Sequence, residues 1–281
     1  MIYLVKFSIT IDSFTKIESL ENTITNLVEL GINNIELSGD PSNFYSKSML
    51  ELFNTFSISI LGVSGKWTSS KEMKSPILLT SDPHILSYSK NYVKECIKIC
   101  NFYGGSILNI CLLSDYELKI DWNHAMIPNK EKKKLLKRSI SILSELTDFS
   151  KDFGVYLLLE PLNRYSTPFC CNTADAIFVT SNLNNDYFSI LLDTYHMNIE
   201  ETDFSDSIIK SKKFLKHIHF SDSNRKMPGF GHINFDSILN TLKKIHYNDY
   251  IGLEPILDRN YKVEIMQGVT FLNKLCNKYK I

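Results

Sequence analysis

Val155-Tyr-Leu-Leu-Leu-Glu160 is an apolar run of strand length that ends in a single carboxylate. The same pattern returns at 188–193, ending in Asp193, at 215–221, around His219, and at 250–254, ending in Glu254. Short apolar runs of this kind are typical of strands that are buried on both faces of a parallel sheet. If the four strands lie side by side, their carboxyl ends bring two glutamates, one aspartate and one histidine to a common rim.

Apolar runs of strand length alternate with longer amphipathic stretches along the chain. The predicted strands cover 2–8, 33–37, 58–63, 106–112, 155–160, 188–193, 215–221 and 250–254. The predicted helices cover 15–30, 45–55, 83–103, 130–152, 172–183, 204–213, 235–246 and 263–279. Glycines at 104 and 154 follow the helices at 83–103 and 130–152, and Asp82-Pro83 and Asn172-Thr173 begin those at 83–103 and 172–183, as helix-ending and helix-starting residues do.

Eight strands that alternate with eight helices predict an α/β fold, a (β/α)8 TIM barrel that forms a single domain over 1–281. With 281 residues, 43% of them hydrophobic, the chain is long enough for one such core. The alternative is an open doubly wound sheet, which normally carries a glycine-rich phosphate turn after its first strand. The corresponding turn, Thr10–Ser13, has no glycine. In a barrel the active site lies at the carboxyl ends of the strands, where the four polar residues are expected.

The composition disfavours several kinds of partner. Lys plus Arg and Asp plus Glu each number 31, so the net charge is zero and a nucleic acid is not expected as the main partner. No apolar stretch approaches the roughly 18 residues of a membrane span, and the amino-terminal MIYLVKFSIT is interpreted as a first strand and not as a signal peptide. The six cysteines match no zinc or redox spacing. We therefore expect a cytoplasmic protein with reduced thiols.

The four strand-end residues form a ligand set for a divalent metal ion. Adjacent strands lie about 4.8 Å apart, so Glu160, Asp193, His219 and Glu254 can converge on one ion. Three carboxylates and one imidazole suit Mn²⁺, Mg²⁺ or Co²⁺ better than structural zinc. Such an ion can hold neighbouring oxygens of a sugar and polarise a carbonyl. A carboxylate beside it can then remove a proton from the adjacent carbon.

Further polar residues follow the same strands. His196, in DTYH, is either a hydrogen-bond donor over a substrate or a structural residue, and Arg225 either binds a hydroxyl, carbonyl or phosphate or is exposed. Arg164, if buried, is expected to orient the carboxylates. His217 and His219 are expected to point to opposite faces of their strand. On that basis only His219, nearer the strand end, is taken as a ligand.

Several motifs resemble those of the ketose 3-epimerases, the D-tagatose and D-psicose (allulose) 3-epimerase group of the xylose isomerase-like barrel superfamily. The similar segments are EPLNRY at 160–165, LDTYHMNIEE at 192–201, HIHFSDSNR at 217–225 with PGFGH at 228–232, and GLEP at 252–255. The resemblance is strongest over 155–256 and weaker over 1–154. It implies a metal site at Glu160, Asp193, His219 and Glu254, with Mn²⁺ favoured and Co²⁺ or Mg²⁺ as alternatives.

The resemblance also implies a reaction, the epimerisation of a ketose or ketose phosphate at C3. In that family one glutamate removes the C3 proton and a second returns a proton from the opposite face, through a metal-bound cis-enediolate. Carried over, Glu160 and Glu254 are the catalytic pair, and His196 and Arg225 hold the substrate near O1 and O2. The family forms dimers and tetramers, so a homodimer or homotetramer with a small-molecule sugar substrate is expected.

One departure concerns substrate recognition, because the epimerase pattern continues to a glutamate where this chain has Ser166. An aldose–ketose isomerase or an inosose-type dehydratase on the same metal site therefore stays open. An endonuclease IV-type repair enzyme is disfavoured, since the chain has no histidine before His84 and no Asp-x-His after the seventh strand. A non-catalytic barrel is disfavoured because all four ligands are present.

Overall fold

Eight parallel strands close into a barrel in the order β1-β2-β3-β4-β5-β6-β7-β8 in the computed structural model, which describes residues 6–14, 19–41, 46–67, 75–115 and 129–281. The strands are β1 (Phe7–Thr10), β2 (Asn34–Gly39), β3 (Ser59–Gly65), β4 (Ile107–Ile110), β5 (Tyr156–Leu159), β6 (Phe188–Asp193), β7 (Leu215–Phe220) and β8 (Ile251–Leu253). The pairing of β1 with β8 completes the ring. The predicted barrel is confirmed, and the open sheet is wrong.

Helices connect successive strands on the outside of the barrel. They are α1 (Leu20–Glu29), α2 (Lys47–Thr55), α3 (Pro83–Phe102), α4 (Asn129–Asp152), α5 (Thr173–Leu183), α6 (Thr194–Glu200), α7 (Phe204–Ser211), α8 (Phe235–Lys244) and α9 (Tyr261–Tyr279). Strands β2 to β8 begin and end within two residues of their predicted bounds. Residues 2–5 of the first predicted strand, 15–18 of the first predicted helix and 45 of the second lie outside the described residues.

Two short helical segments were not predicted. Helix α6 begins directly after β6, and a 3-10 helix over Ile11–Phe14 occupies most of the predicted turn after β1. Helices of two turns or fewer are too short to show a periodic pattern of hydrophobic residues in the sequence. Their stability comes from contacts with the rest of the fold. The predicted helix ends are found, because Gly104 has a φ of 78° and Gly154 a φ of 67° directly after α3 and α4.

The barrel lumen changes from apolar to polar along its axis. Ile107, Leu158 and Leu191 are buried together on β4, β5 and β6. Two residues further along the same strands, the positions are 109, 160 and 193, which are Asn109, Glu160 and Asp193. Side chains two apart on a strand share a face, so a polar layer lies directly above the apolar one. The larger core fills the space between the strands and the outer helices.

All six cysteines are free and buried, and none forms a disulfide. Across the part of the chain that the structure describes, no helix is both long and apolar enough to cross a membrane.

Candidate metal centre and active site

The four strand-end residues meet at the carboxyl rim of the barrel. Asp193 and His219 are register partners on β6 and β7, and the backbone N–H of Glu254 donates to the carbonyl of Phe220 at 3.1 Å. Glu160 directly follows β5. One ligand atom from each of the four lies within 4.8 Å of the others. Because β6 and β7 separate β5 from β8, the two glutamates flank the aspartate and the histidine.

Asp193 is held by the helix that follows it. Its Oδ1 accepts the backbone N–H groups of Tyr195 at 2.7 Å and of His196 at 3.3 Å, so that Asp193 is the N-cap of α6. Its Oδ2 accepts Nη1 of Arg225 at 2.7 Å. The side chain is completely buried. The unpredicted helix α6 thus fixes the carboxylate that the sequence identified.

Glu36, on β2, orients His219 and was not identified from the sequence. Its Oε2 accepts His219 Nε2 at 2.9 Å, while its Oε1 accepts His217 Nε2 at 3.0 Å and Ser8 Oγ at 2.7 Å. Burial opposes the ionised form of Glu36, but the two histidines outweigh it and hold its pKa well below its usual value. A carboxylate behind a ligating histidine fixes the ring, and here it turns Nδ1 of His219 toward Glu254 Oε2, 3.2 Å away. The only indication of this role in the sequence was a glutamate inside a predicted buried strand.

The expectation that His217 and His219 point to opposite faces is wrong. Residues two apart on a strand share a face, and the two rings lie 4.9 Å apart and both bond to Glu36. Gly252 on β8 leaves the space for this contact, since a Cβ there would lie 2.6 Å from Glu36 Oε1 and 2.5 Å from His219 Cδ2. His217 therefore supports the carboxylate behind the rim and does not belong to the group of four ligands.

Glu160 is held by Asn109, a second residue that the sequence analysis missed. Asn109 Oδ1 accepts the backbone N–H of Gly65, which leaves Nδ2 to donate to Glu160 Oε2 at 2.7 Å. Burial, followed by repulsion from Glu254, raises the pKa of Glu160 to about 8. The only indication of Asn109 in the sequence was that it is a polar residue within the apolar run 106–112.

Glu254 has the opposite electrostatic environment. Its Oε2 accepts Nη2 of Arg225 at 2.5 Å and lies close to His219. Burial alone would raise the pKa of Glu254, but the charges of Arg225 and His219 outweigh it and lower that pKa. His219 lies between two carboxylates, Glu36 and Glu254. Their charges outweigh burial and raise the pKa of His219 well above its usual value.

Arg225 points into the site and is not an exposed arginine. Its guanidinium bridges Asp193 and Glu254 and lies 5.0 Å from the ring centroid of Tyr195. Its backbone has a φ of 60°, a left-handed conformation that is uncommon for residues other than glycine. Arg164, by contrast, pairs with Glu200 through Nε at 2.8 Å and Nη2 at 2.9 Å, so it does not orient the four ligands.

His196 is buried at the edge of the site. Its Nε2 lies 4.0 Å from Glu160 Oε1, and its Nδ1 lies 2.8 Å from Asn163 Nδ2. Burial is the main cause that lowers the pKa of His196, which favours the neutral ring.

A cavity of about 630 Å³ opens onto these residues, a volume in the usual range for small-molecule sites. Its wall combines the site residues with others from β3, β4 and the segments that follow β1, β3, β4 and β5. The lining residues are Asp12, Ser64, Gly65, Lys66, Trp67, Asn109, Cys111, Leu113, Glu160, Leu162, Ser166, His196, Arg225 and Glu254. Five of these residues were predicted from the sequence: Glu160, Ser166, His196, Arg225 and Glu254. The charged residues from the first half of the barrel, Asp12 and Lys66, were not predicted. Lys66 pairs with Asp40 at 3.5 Å.

The four strand-end residues fit a divalent cation. Their donor atoms are three carboxylate oxygens and one imidazole nitrogen, a set that suits Mn²⁺, Co²⁺ or Mg²⁺. The raised pKa of Glu160 has repulsion from Glu254 among its causes, so the negative charge at this rim is only partly balanced by the protein. A divalent cation would complete that balance.

Comparison with known proteins places this site in a family context. The family model described as xylose isomerase-like TIM barrel matches residues 24–275. The D-psicose 3-epimerase of Agrobacterium fabrum is 32% identical over 120 residues, which is 43% of this chain and 42% of the relative. The D-psicose 3-epimerase of Ruminiclostridium cellulolyticum is 27% identical over 243 residues, 83% of this chain and 77% of the relative. The matches to the first two curated relatives span only 42% and 61% of those proteins' own lengths.

A solved structure of a D-allulose 3-epimerase from Methylomonas sp. superposes with a TM-score of 0.83 at 19% identity, covering 97% of this chain and 98% of that one. At this identity the likeness concerns the fold.

Proposed function

Because the chain belongs to the xylose isomerase-like TIM barrel family, we propose that it is an isomerase-class sugar enzyme that inverts C3 of a ketose by proton transfer. Relatives named D-psicose 3-epimerase support this reaction. The proposed catalytic pair is Glu160 and Glu254. The proposed metal ligands are these two residues with Asp193 and His219, and Mn²⁺ is the favoured ion.

The observation that carries the proposal is the position of the two glutamates. Glu160 follows β5 and Glu254 follows β8, so they approach the cavity from two sides with β6 and β7 between them. Both line the cavity. Inversion at a carbon requires that a proton leave one face and that another arrive on the opposite face, and two carboxylates across a substrate can do this.

The electrostatic environments of Glu160 and Glu254 shift the pKa values of the two carboxyl groups in opposite directions. Burial and repulsion raise the pKa of Glu160, whereas Arg225 and His219 lower that of Glu254. Two carboxyl groups whose pKa values are pushed apart are suited to opposite acid and base roles. A divalent cation held by the four ligands would act as a Lewis acid toward the ketose oxygens.

His196 and Arg225 are the proposed substrate-binding residues. Both line the cavity, with His196 beside Glu160 and Arg225 beside Glu254. A guanidinium and an imidazole can donate hydrogen bonds to the carbonyl and hydroxyl oxygens next to C3. These contacts would hold C3 between the two glutamates.

Exchange of the C3 proton with deuterium from the solvent tests the function. The protein, loaded with Mn²⁺ or Co²⁺, is incubated in D₂O with a set of free and phosphorylated ketoses, and products are followed by NMR. We expect deuterium at C3 and a C3-epimeric ketose, both abolished by a chelator and restored by added metal. Full activity in the metal-free protein would refute the proposal.

The same product spectra test the alternatives. An aldose product would identify an aldose–ketose isomerase, and loss of water would identify a dehydratase. Glu160→Gln is the matched control, since it keeps the shape of the side chain and removes its ability to accept a proton.

A further inference from the structure

We propose that Asn163 is a positioning residue that fixes His196 as the tautomer protonated on Nε2, so that His196 faces the cavity as a hydrogen-bond donor and not as a base. Its kinetic consequence rests on the function proposed above, but the tautomer itself does not. Asn163 is absent from the cavity wall, so any effect it has on a substrate passes through its bonded neighbours that line the wall, His196 and Ser166.

The amide of Asn163 has a defined orientation. Its Oδ1 accepts the backbone N–H of Tyr165 at 2.9 Å and that of Ser166 at 3.2 Å. Both partners are donors, so an inverted amide would direct its NH₂ group at two N–H groups. The side chain is buried, which makes such an unsatisfied arrangement costly. The NH₂ group is therefore the end that faces His196.

This orientation determines which nitrogen of His196 carries the proton. Asn163 Nδ2 lies 2.8 Å from His196 Nδ1 and can only donate, so Nδ1 must be an acceptor. A neutral imidazole that accepts at Nδ1 is protonated at Nε2. Asp193 fixes the backbone of His196 from the other side, because its Oδ1 accepts the His196 N–H at 3.3 Å.

The tautomer gives His196 and Glu160 different roles toward a substrate. Nε2 of His196 faces the cavity 4.0 Å from Glu160 Oε1 and, once protonated, has no lone pair with which to accept a proton. It can donate a hydrogen bond to a carbonyl or hydroxyl oxygen of a sugar. Proton removal from carbon is then left to the carboxylate beside it.

The tautomer is tested directly in the metal-free protein without a substrate. Long-range ¹H–¹⁵N correlation of protein labelled in its histidines, with His196 assigned by its loss in His196→Ala, is expected to show a pyridine-type Nδ1 and a pyrrole-type Nε2. In Asn163→Asp, Oδ1 can still accept both backbone N–H groups, but the second oxygen accepts where Nδ2 donated. We expect the proton of the neutral His196 ring to move from Nε2 to Nδ1 in that variant, so that Nε2 no longer donates.

Two outcomes of the spectra would overturn the proposal: a wild-type His196 protonated at Nδ1, or an unchanged tautomer in Asn163→Asp. Asn182→Asp, on the exposed surface of α5, introduces the same charge and is expected to leave the His196 signals unchanged.

Kinetics test whether Asn163 acts through His196. Asn163→Asp is expected to lower kcat/KM for C3 exchange by roughly 100-fold, the effect of losing one oriented donor. In a His196→Ala background the same change is expected to alter kcat/KM by less than about threefold. An equal loss in both backgrounds would show that Asn163 acts by another route. If no ketose is turned over, the proposed function fails while the spectra still decide the tautomer.

Discussion

Replacing Glu36 by glutamine tests the network behind the metal ligands. The carboxylate accepts three buried donors: Ser8 Oγ and His217 Nε2 at Oε1, and His219 Nε2 at Oε2. A glutamine of the same shape offers one oxygen and one NH₂ group. In the better orientation its oxygen keeps the two donors at the Oε1 position, and its NH₂ group faces His219 Nε2.

The magnitude follows from what His219 must then do. To accept from the new NH₂ group, its Nε2 must lose its proton, and a neutral ring then carries the proton on Nδ1, the nitrogen that faces the metal ligands. Restoring a free Nδ1 for a metal leaves one buried donor unsatisfied, at a cost of about 1–3 kcal/mol. We therefore expect Mn²⁺ affinity to fall by about 10- to 100-fold. The metal-free protein also loses the partner of a buried charge, which is expected to cost about 3 kcal/mol of unfolding free energy.

The assays are calorimetric titration with Mn²⁺ and denaturant unfolding of the metal-free protein. Ser8→Ala is the matched control, since it removes one neutral donor from the same carboxylate and keeps the charge. It is expected to cost about 1 kcal/mol and to leave Mn²⁺ affinity unchanged. Wild-type affinity together with wild-type stability in Glu36→Gln would refute the reasoning.

Three further predictions concern the site itself. Glu160→Gln and Glu254→Gln are each expected to lower kcat for C3 exchange by roughly 1000-fold while circular dichroism stays unchanged, and a loss below tenfold would contradict a role in proton transfer. Mn²⁺ affinity is expected to rise with pH, by about tenfold or more per unit up to about 8. Below its raised pKa of about 8, Glu160 holds a proton that the metal must displace, and the raised pKa of His219 means that this ligand must release a proton as well. A pH-independent affinity would contradict this, and Glu160→Gln should make the profile less steep. Arg225→Lys replaces a planar guanidinium, which reaches Asp193 through Nη1 and Glu254 through Nη2, by a single ammonium nitrogen. It is expected to lower kcat/KM by about tenfold or more, measured with the same exchange assay, and unchanged kinetics would count against the role of Arg225.

Most of the fold was predictable from local patterns. Strands β2 to β8 were located to within two residues, because each is a short apolar run bounded by turn residues. The ends of α3 and α4 were predictable from Gly104 and Gly154, which adopt positive φ. Helix α6 was not predictable, because it is stabilised by the cap from Asp193 and by packing and not by a periodic pattern of its own.

The members of the site were only partly predictable. Glu160, Asp193, His219 and Glu254 ended recognisable strands, so their convergence followed once a parallel barrel was assumed. Asn109 and Glu36 were missed because each lies inside an apolar run, where a polar residue gives no indication of its partner.

The sequence by itself determined the order of strands and helices, the closed parallel barrel as the favoured fold and the four polar residues at its rim. These features depend on local spacing, which the chain carries directly. Only the tertiary structure decided that Glu36 reaches both His217 and His219, which lie 181 and 183 residues away in sequence, and that Arg225 turns inward between two carboxylates. Closure of the barrel brings inward-facing side chains of distant strands together across the lumen, where Gly252 leaves space for them. The pattern of residues along one strand does not show which residues of the other strands its side chains will contact.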